Sequence, residues 1–201
     1  MLRTKLATVA ALATLWFTPA SGQKEVYPPQ AETPSTRFVT YRGDQFEIGF
    51  PENWVVNKTG NTVTLSPQDG NVSGTLAYGL VTDIFEPRSR DNGESLDADV
   101  DQTERAPATL ATATNQLIED LRRTHANLRV LRRTPKEVGG YKALEVEMNN
   151  ASAVGGVEVD RLLTILRPRG LRYFLAVAPE DEVNRYASIF NRMIESIRFY
   201  N

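Results

Sequence analysis

The sequence contains no cysteine and only one histidine, His125, among 201 residues. Without cysteine there can be no disulfide, no thiolate nucleophile or zinc ligand, and no lipid-modified cysteine of the bacterial lipoprotein type. With one histidine there is no H-E-x-x-H zinc site. Any Ser-His-Asp arrangement would have to run through His125, and no G-x-S-x-G elbow accompanies it. Long apolar runs are also scarce. Leu6 to Phe17 is interrupted only by Thr8 and Thr14, but it falls short of the ~20 residues needed to span a bilayer.

What is present at the N-terminus has the pattern of a cleavable export signal. Arg3 and Lys5 precede the apolar run, Pro19 breaks it, and Ala20-Ser21-Gly22 supplies small residues for a peptidase. The expected cleavage lies between Gly22 and Gln23, making residues 1–22 a signal peptide. The mature chain is then expected in the periplasm or outside the cell, with no transmembrane segment and no lipid anchor. Its 179 residues fit one domain, and 21 basic against 25 acidic side chains leave about −4. That charge supports solubility and gives no basis for a nucleic-acid partner.

Residues 23–36 contain Pro28, Pro29 and Pro34 among polar residues and are expected to form a flexible leader before a domain over 37–201. From Arg37 the pattern becomes short and alternating. Phe46, Ile48 and Phe50 share one strand face and Pro51 ends the strand. Val55-Val56, then Val63 and Leu65, then Leu76, Tyr78 and Leu80 predict three further strands. Asp83 to Ala106 reads as a long acidic connection. A helix is expected after Pro107, with Ala113, Leu117 and Leu121 a turn apart, ending near His125.

Strands are expected again over 128–133, 142–148, 157–166 and 171–178, with a Gly139-Gly140 turn. The last of these is apolar on both faces, the mark of a strand covered on both sides. A final helix is predicted to start at Pro179, with an apolar stripe from Val183 through Tyr186, Phe190 and Ile194 to Ile197. Mostly strands with two separated helices predicts an α+β sandwich, an antiparallel sheet flanked by helices.

Phe46-Glu-Ile-Gly-Phe-Pro-Glu-Asn-Trp54, followed by Thr62-Val-Thr-Leu-Ser-Pro67, resembles the opening of PsbP-like domains. Gly170-Leu-Arg-Tyr-Phe-Leu-Ala-Val-Ala-Pro-Glu180 and the helix running to Phe199 continue the likeness. More narrowly, Asn115 to Ile118, Leu128 to Val130 and Gly155-Gly156 look like a domain appended to the C-terminus of some bacterial zinc metallopeptidases. The resemblance implies an antiparallel sheet between helices. It also implies an accessory role through protein contacts, with an envelope or secreted protein, such as a metallopeptidase, as partner. The peptidase's own zinc motif is missing, since His125 is followed by Ala126.

Two acidic groups are candidate binding sites. Asp97, Asp99 and Asp101 occupy the first three ligand positions of a calcium loop, but Gln102 and Ala108 stand where an EF-hand needs Gly and Glu. A solvated acidic loop is the plainer reading. Calcium is the one cofactor the sequence suggests, and no other is expected. Glu145 and Glu147 share one strand face, and Glu158 and Asp160 share the next. If the intervening loop closes symmetrically, Glu147 falls opposite Glu158 and Glu145 opposite Asp160. That register would need a cation or arginine, or would serve hydrolytic acid–base chemistry. The plainer reading is a wet sheet end. Arg122, Arg123, Arg129, Arg132, Arg133 and Lys136 form a basic cluster interleaved with Glu119, Asp120 and Glu137. No catalytic constellation is apparent, so the expectation is a non-enzymatic module.

Overall fold

A computed structural model describes residues 32–88 and 109–200. The expected signal peptide, its cleavage point at Gly22 and Gln23, and Asp97, Asp99 and Asp101 lie outside the described residues. Strands β1 (Phe38–Arg42), β2 (Phe46–Pro51), β3 (Val55–Thr59), β4 (Thr62–Ser66), β5 (Asn71–Val72), β6 (Thr75–Leu76) and β7 (Gly79–Phe85) come first. Helix α1 (Leu110–Thr124) follows. Next are β8 (Arg129–Val138), β9 (Tyr141–Ala151), β10 (Val157–Arg167) and β11 (Gly170–Pro179), then helix α2 (Val183–Glu195) and β12 (Arg198–Phe199).

Seven of these strands form one antiparallel sheet in the order β3-β4-β7-β11-β10-β9-β8. β11 lies at its centre, as its two apolar faces require. One face carries Leu65, Leu163, Ile165, Phe174 and Ala176. It packs against Tyr186, Phe190 and Met193 of α2 and against the small β1-β2-β12 sheet. The other face carries Val146, Met148 and Leu162 and packs against Ala113, Leu117 and Ile118 of α1. The Thr114 and Thr164 hydroxyls meet at 2.8 Å in this second interface, so neither is buried without a partner.

The Pro51-to-Trp54 corner closes through the Trp54 amide donating to the Pro51 carbonyl at 3.0 Å. Trp54 then packs on Tyr186 and Phe190 of α2. The Asn53 side chain accepts from the Ser35 amide and donates to the Thr33 carbonyl, and Pro34 is buried. Residues 33–36, expected as the end of a flexible leader, are thus tied to the domain.

Other boundaries differ from expectation for local reasons. The single strand expected through Leu76, Tyr78 and Leu80 is interrupted by a bend at Ala77 and Tyr78, and β7 opens at Gly79 with a φ of +136°. A Cβ at Gly79 would lie 2.5 Å from the Leu65 carbonyl oxygen, so the crossing of β4 and β7 requires glycine there. Asp83, Ile84 and Phe85 belong to β7 and not to the polar connection. Pro179 ends β11 opposite Glu158, and α2 begins four residues later at Val183. The Gly139-Gly140 turn forms as expected, with both residues at positive φ. Thr109 caps α1, and the Thr112 hydroxyl answers the Thr109 amide in a capping box.

Candidate functional site

The β9–β10 register decides what the four candidate carboxylates can do. Glu158 pairs with Asn150, Asp160 with Met148, Arg161 with Glu147, and Leu163 with Glu145. This is displaced by three residues from the symmetric closure expected from the sequence. An odd displacement moves one strand's side chains to the opposite face. The expected cluster of Glu145, Glu147, Glu158 and Asp160 therefore does not exist. Glu145 and Glu147 lie on the α2 face, and Glu158 and Asp160 on the α1 face.

On the α2 face the acids meet bases. Glu145 accepts from Lys136 at 2.7 Å and from Arg161 at 3.1 Å, and Glu147 accepts from Arg132 at 2.7 Å. Burial pushes the Glu145 carboxyl upward, but Lys136 and Arg161 outweigh it and hold the group below its ordinary range. Arg161 is itself held by Asn191 of α2 at 2.8 Å. Part of the basic cluster is thereby used up: Arg122 and Arg123 pair with Glu119 and Asp120 along α1, and Arg132 and Lys136 pair across β9.

On the α1 face the acids form no ion pair with any described lysine or arginine. Asp160 is 3% exposed and Glu158 6% exposed. Asp160 Oδ1 and Glu158 Oε2 have no hydrogen-bond partner among the described residues. Burial, followed by the neighbouring Glu158 charge, pushes the Asp160 carboxyl up to about 8. Asp160 therefore carries its proton at neutral pH. Burial also raises Glu158, against the hydrogen bond from Asn150 and the nearby Ser152 hydroxyl and Ala153 amide. Among the described residues only Asn150 reaches it in hydrogen-bond geometry, at 3.3 Å.

These two acids line a recess of about 170 Å³. Its walls are mainly apolar: Leu121 from the end of α1, Leu128, Val81, and Leu175 and Val177 of β11. The β5–β6 hairpin, through Thr75 and Leu76, forms one rim, and His125 forms another. His125 sits at the C-cap of α1, its amide donating to the Leu121 carbonyl. Its Nδ1 lies 3.0 Å from Asn150 Nδ2, so Asn150 links the histidine to Glu158. The sequence singled out Glu158, Asp160 and the helix-end position of His125. It gave no sign of Asn150, because a strand-end asparagine becomes a linker only once the register is known.

Within this geometry the site offers a protonated acid, a second raised carboxyl and a polar rim inside an apolar wall. Among the described residues no three His, Asp or Glu side chains are placed to hold a metal ion. No helix of the described residues is long and apolar enough to cross a membrane.

Compared by sequence, the chain matches no protein-family model and no curated protein. By structure it is similar to cyanobacterial PsbP (CyanoP) from Synechocystis. The TM-score is 0.55 at 13% identity, over 90% of this chain and 98% of that one. It is also similar to LpqN of Mycobacterium tuberculosis, a protein described as involved in cell envelope biogenesis. There the TM-score is 0.50 at 11% identity, over 82% of this chain and 91% of that one. At these identities the likeness concerns the fold, and the chain has the PsbP-like α+β fold.

Proposed function

We propose that this chain is an exported binding or accessory module of the cell envelope, acting through contact with another protein and not as a catalyst. The recess over Glu158 and Asp160 is the observation that carries this reading. Its volume of about 170 Å³ is below the ~300 Å³ at which small-molecule sites begin, and close to the ~150 Å³ that admits a benzene-sized group. It suits one inserted side chain. Two buried carboxyl oxygens without partners suit a basic one, because a cation there recovers the cost of burying them. A secreted or envelope protein presenting a lysine is the partner this geometry fits, and a metallopeptidase is the specific candidate suggested by the sequence resemblance. The description of LpqN as an envelope-biogenesis protein supports the same setting.

A second reading has its own observation. An acid that holds its proton at neutral pH inside an apolar wall has the environment of a general acid, with Glu158 as the companion base. One experiment separates the two. Mature chain and a Glu158→Gln/Asp160→Asn variant are immobilised and exposed to envelope extract, with butylamine as competitor at about pH 8.5. The binding reading expects a retained protein that the variant loses and butylamine displaces. Turnover of a substrate by the wild type, abolished in the variant, with no such retained protein, would establish the hydrolytic reading instead.

A further inference from the structure

At the opposite corner of the sheet, Arg172 of β11 is buried to 6% exposure. It makes no ion pair and no side-chain hydrogen bond with any described residue. Its guanidinium lies over the Phe46 ring at 5.0 Å, and Phe46 is braced edge-on by Phe174 at 5.3 Å. Among the described residues the cation is therefore held in place from one side only. Burial works against its charge, and Asp83 and Asp44 offset this from a distance. Asp83 is already engaged, accepting from the Thr62 hydroxyl and the Ile84 amide.

Arg172 faces a cleft of about 320 Å³ between β2, the β3–β4 hairpin, the end of β7 and the β10–β11 turn. Val63 and Ile84 supply apolar wall, and Lys58 and Arg169 stand at the mouth. We propose that this cleft binds a small monocarboxylate, its carboxyl group received by Arg172 and its apolar body lying against Val63 and Ile84. The guanidinium is the side chain whose planar donors match a carboxylate two to two. An unpaired buried cation is costly, and an entering anion removes that cost. The charge balance favours one negative charge over several. Lys58 is partly taken by Asp44 at 3.9 Å, and Asp44 and Glu86 line the same cleft, repelling a polyanion such as phosphate. The cleft volume lies at the lower end of small-molecule sites, so the fit is to a short acid.

The test is an NMR titration of the mature chain at constant ionic strength with butyrate, its neutral isostere butyramide, and inorganic phosphate. Saturable shifts at the Arg172 side-chain N–H, Phe46 and Ile84 are expected with butyrate, and none with butyramide. An Arg169→Gln variant, exposed and harmless to the fold, should weaken butyrate two- to five-fold. Arg172→Lys should weaken it at least ten-fold, its own spectrum reporting whether it is folded. Shifts that do not saturate, or equal response to butyramide or phosphate, would overturn the proposal even if Arg172→Lys failed to fold.

Discussion

Asn150 and Glu158 stand directly opposite each other across β9 and β10, and the Asn150 amide donates to Glu158 Oε1 at 3.3 Å. This pair marks where the sheet changes character. From Leu162 to Ile165 β10 is packed core, whereas Glu158 and Asp160 at its start line a recess capped by the end of α1. Four consequences can be measured.

Asp160 makes stability depend on pH in an unusual direction. Its carboxyl titrates near 3.8 when exposed and at about 8 when folded. Between those values the folded chain holds a proton that the unfolded chain has lost, so stability falls as pH rises. The slope reaches ~1.4 kcal/mol per pH unit and levels off above about pH 8. Glu158, also raised, adds to the fall. Urea unfolding at about pH 5, 6.5 and 8 should show the decline in the wild type and a much flatter profile in Asp160→Asn. Equal profiles in the two proteins would contradict this assignment.

The same titration links to ligand uptake in the recess. A cation binds the deprotonated form of Asp160, so binding releases a proton and strengthens with pH through about 8. Calorimetry with butylamine should show tighter binding at pH 8.5 than at pH 6.5, with proton release that depends on buffer ionisation. Affinity unchanged between the two would count against a cation site.

Arg161 and Glu145 form a half-buried pair anchored to α2 through Asn191. Removing the arginine leaves the acid with Lys136 alone. Arg161→Met is expected to destabilise by ~2–4 kcal/mol, and Glu145→Gln in that background to restore part of the loss. A double-mutant cycle reads the coupling, and additive effects would mean the pair is not coupled.

Gly79→Ala should cost ~1–3 kcal/mol from backbone strain, because φ there is +136°, with a further cost because the added carbon meets the Leu65 carbonyl. Gly60, also at positive φ but with open space around it, is the control and should cost less. Thermal midpoints of the two variants compare the effects directly.

Much of the fold was legible because period-2 and period-3.6 patterns act locally. Phe46, Ile48 and Phe50 share a buried face, Tyr186 to Ile194 form the buried stripe of α2, and β11 lies between two helices. The candidate site was only half legible. Glu158 and Asp160 could be named, but their partners could not. In strands buried on both faces, alternation does not distinguish an even register from an odd one. The tertiary structure settled that parity through the loop over residues 152–156, where Gly155 and Gly156 both take positive φ. Arg172 was invisible for a related reason. On paper it is one arginine in an apolar strand, and only the arrival of Phe46 from a distant strand buries it. The sequence by itself determined the list of strands and helices and the apolar faces they must cover, because those depend on neighbours along the chain. Which charges met partners, and which were left facing a recess or a cleft, was decided by contacts between strands that only the folded sheet brings together.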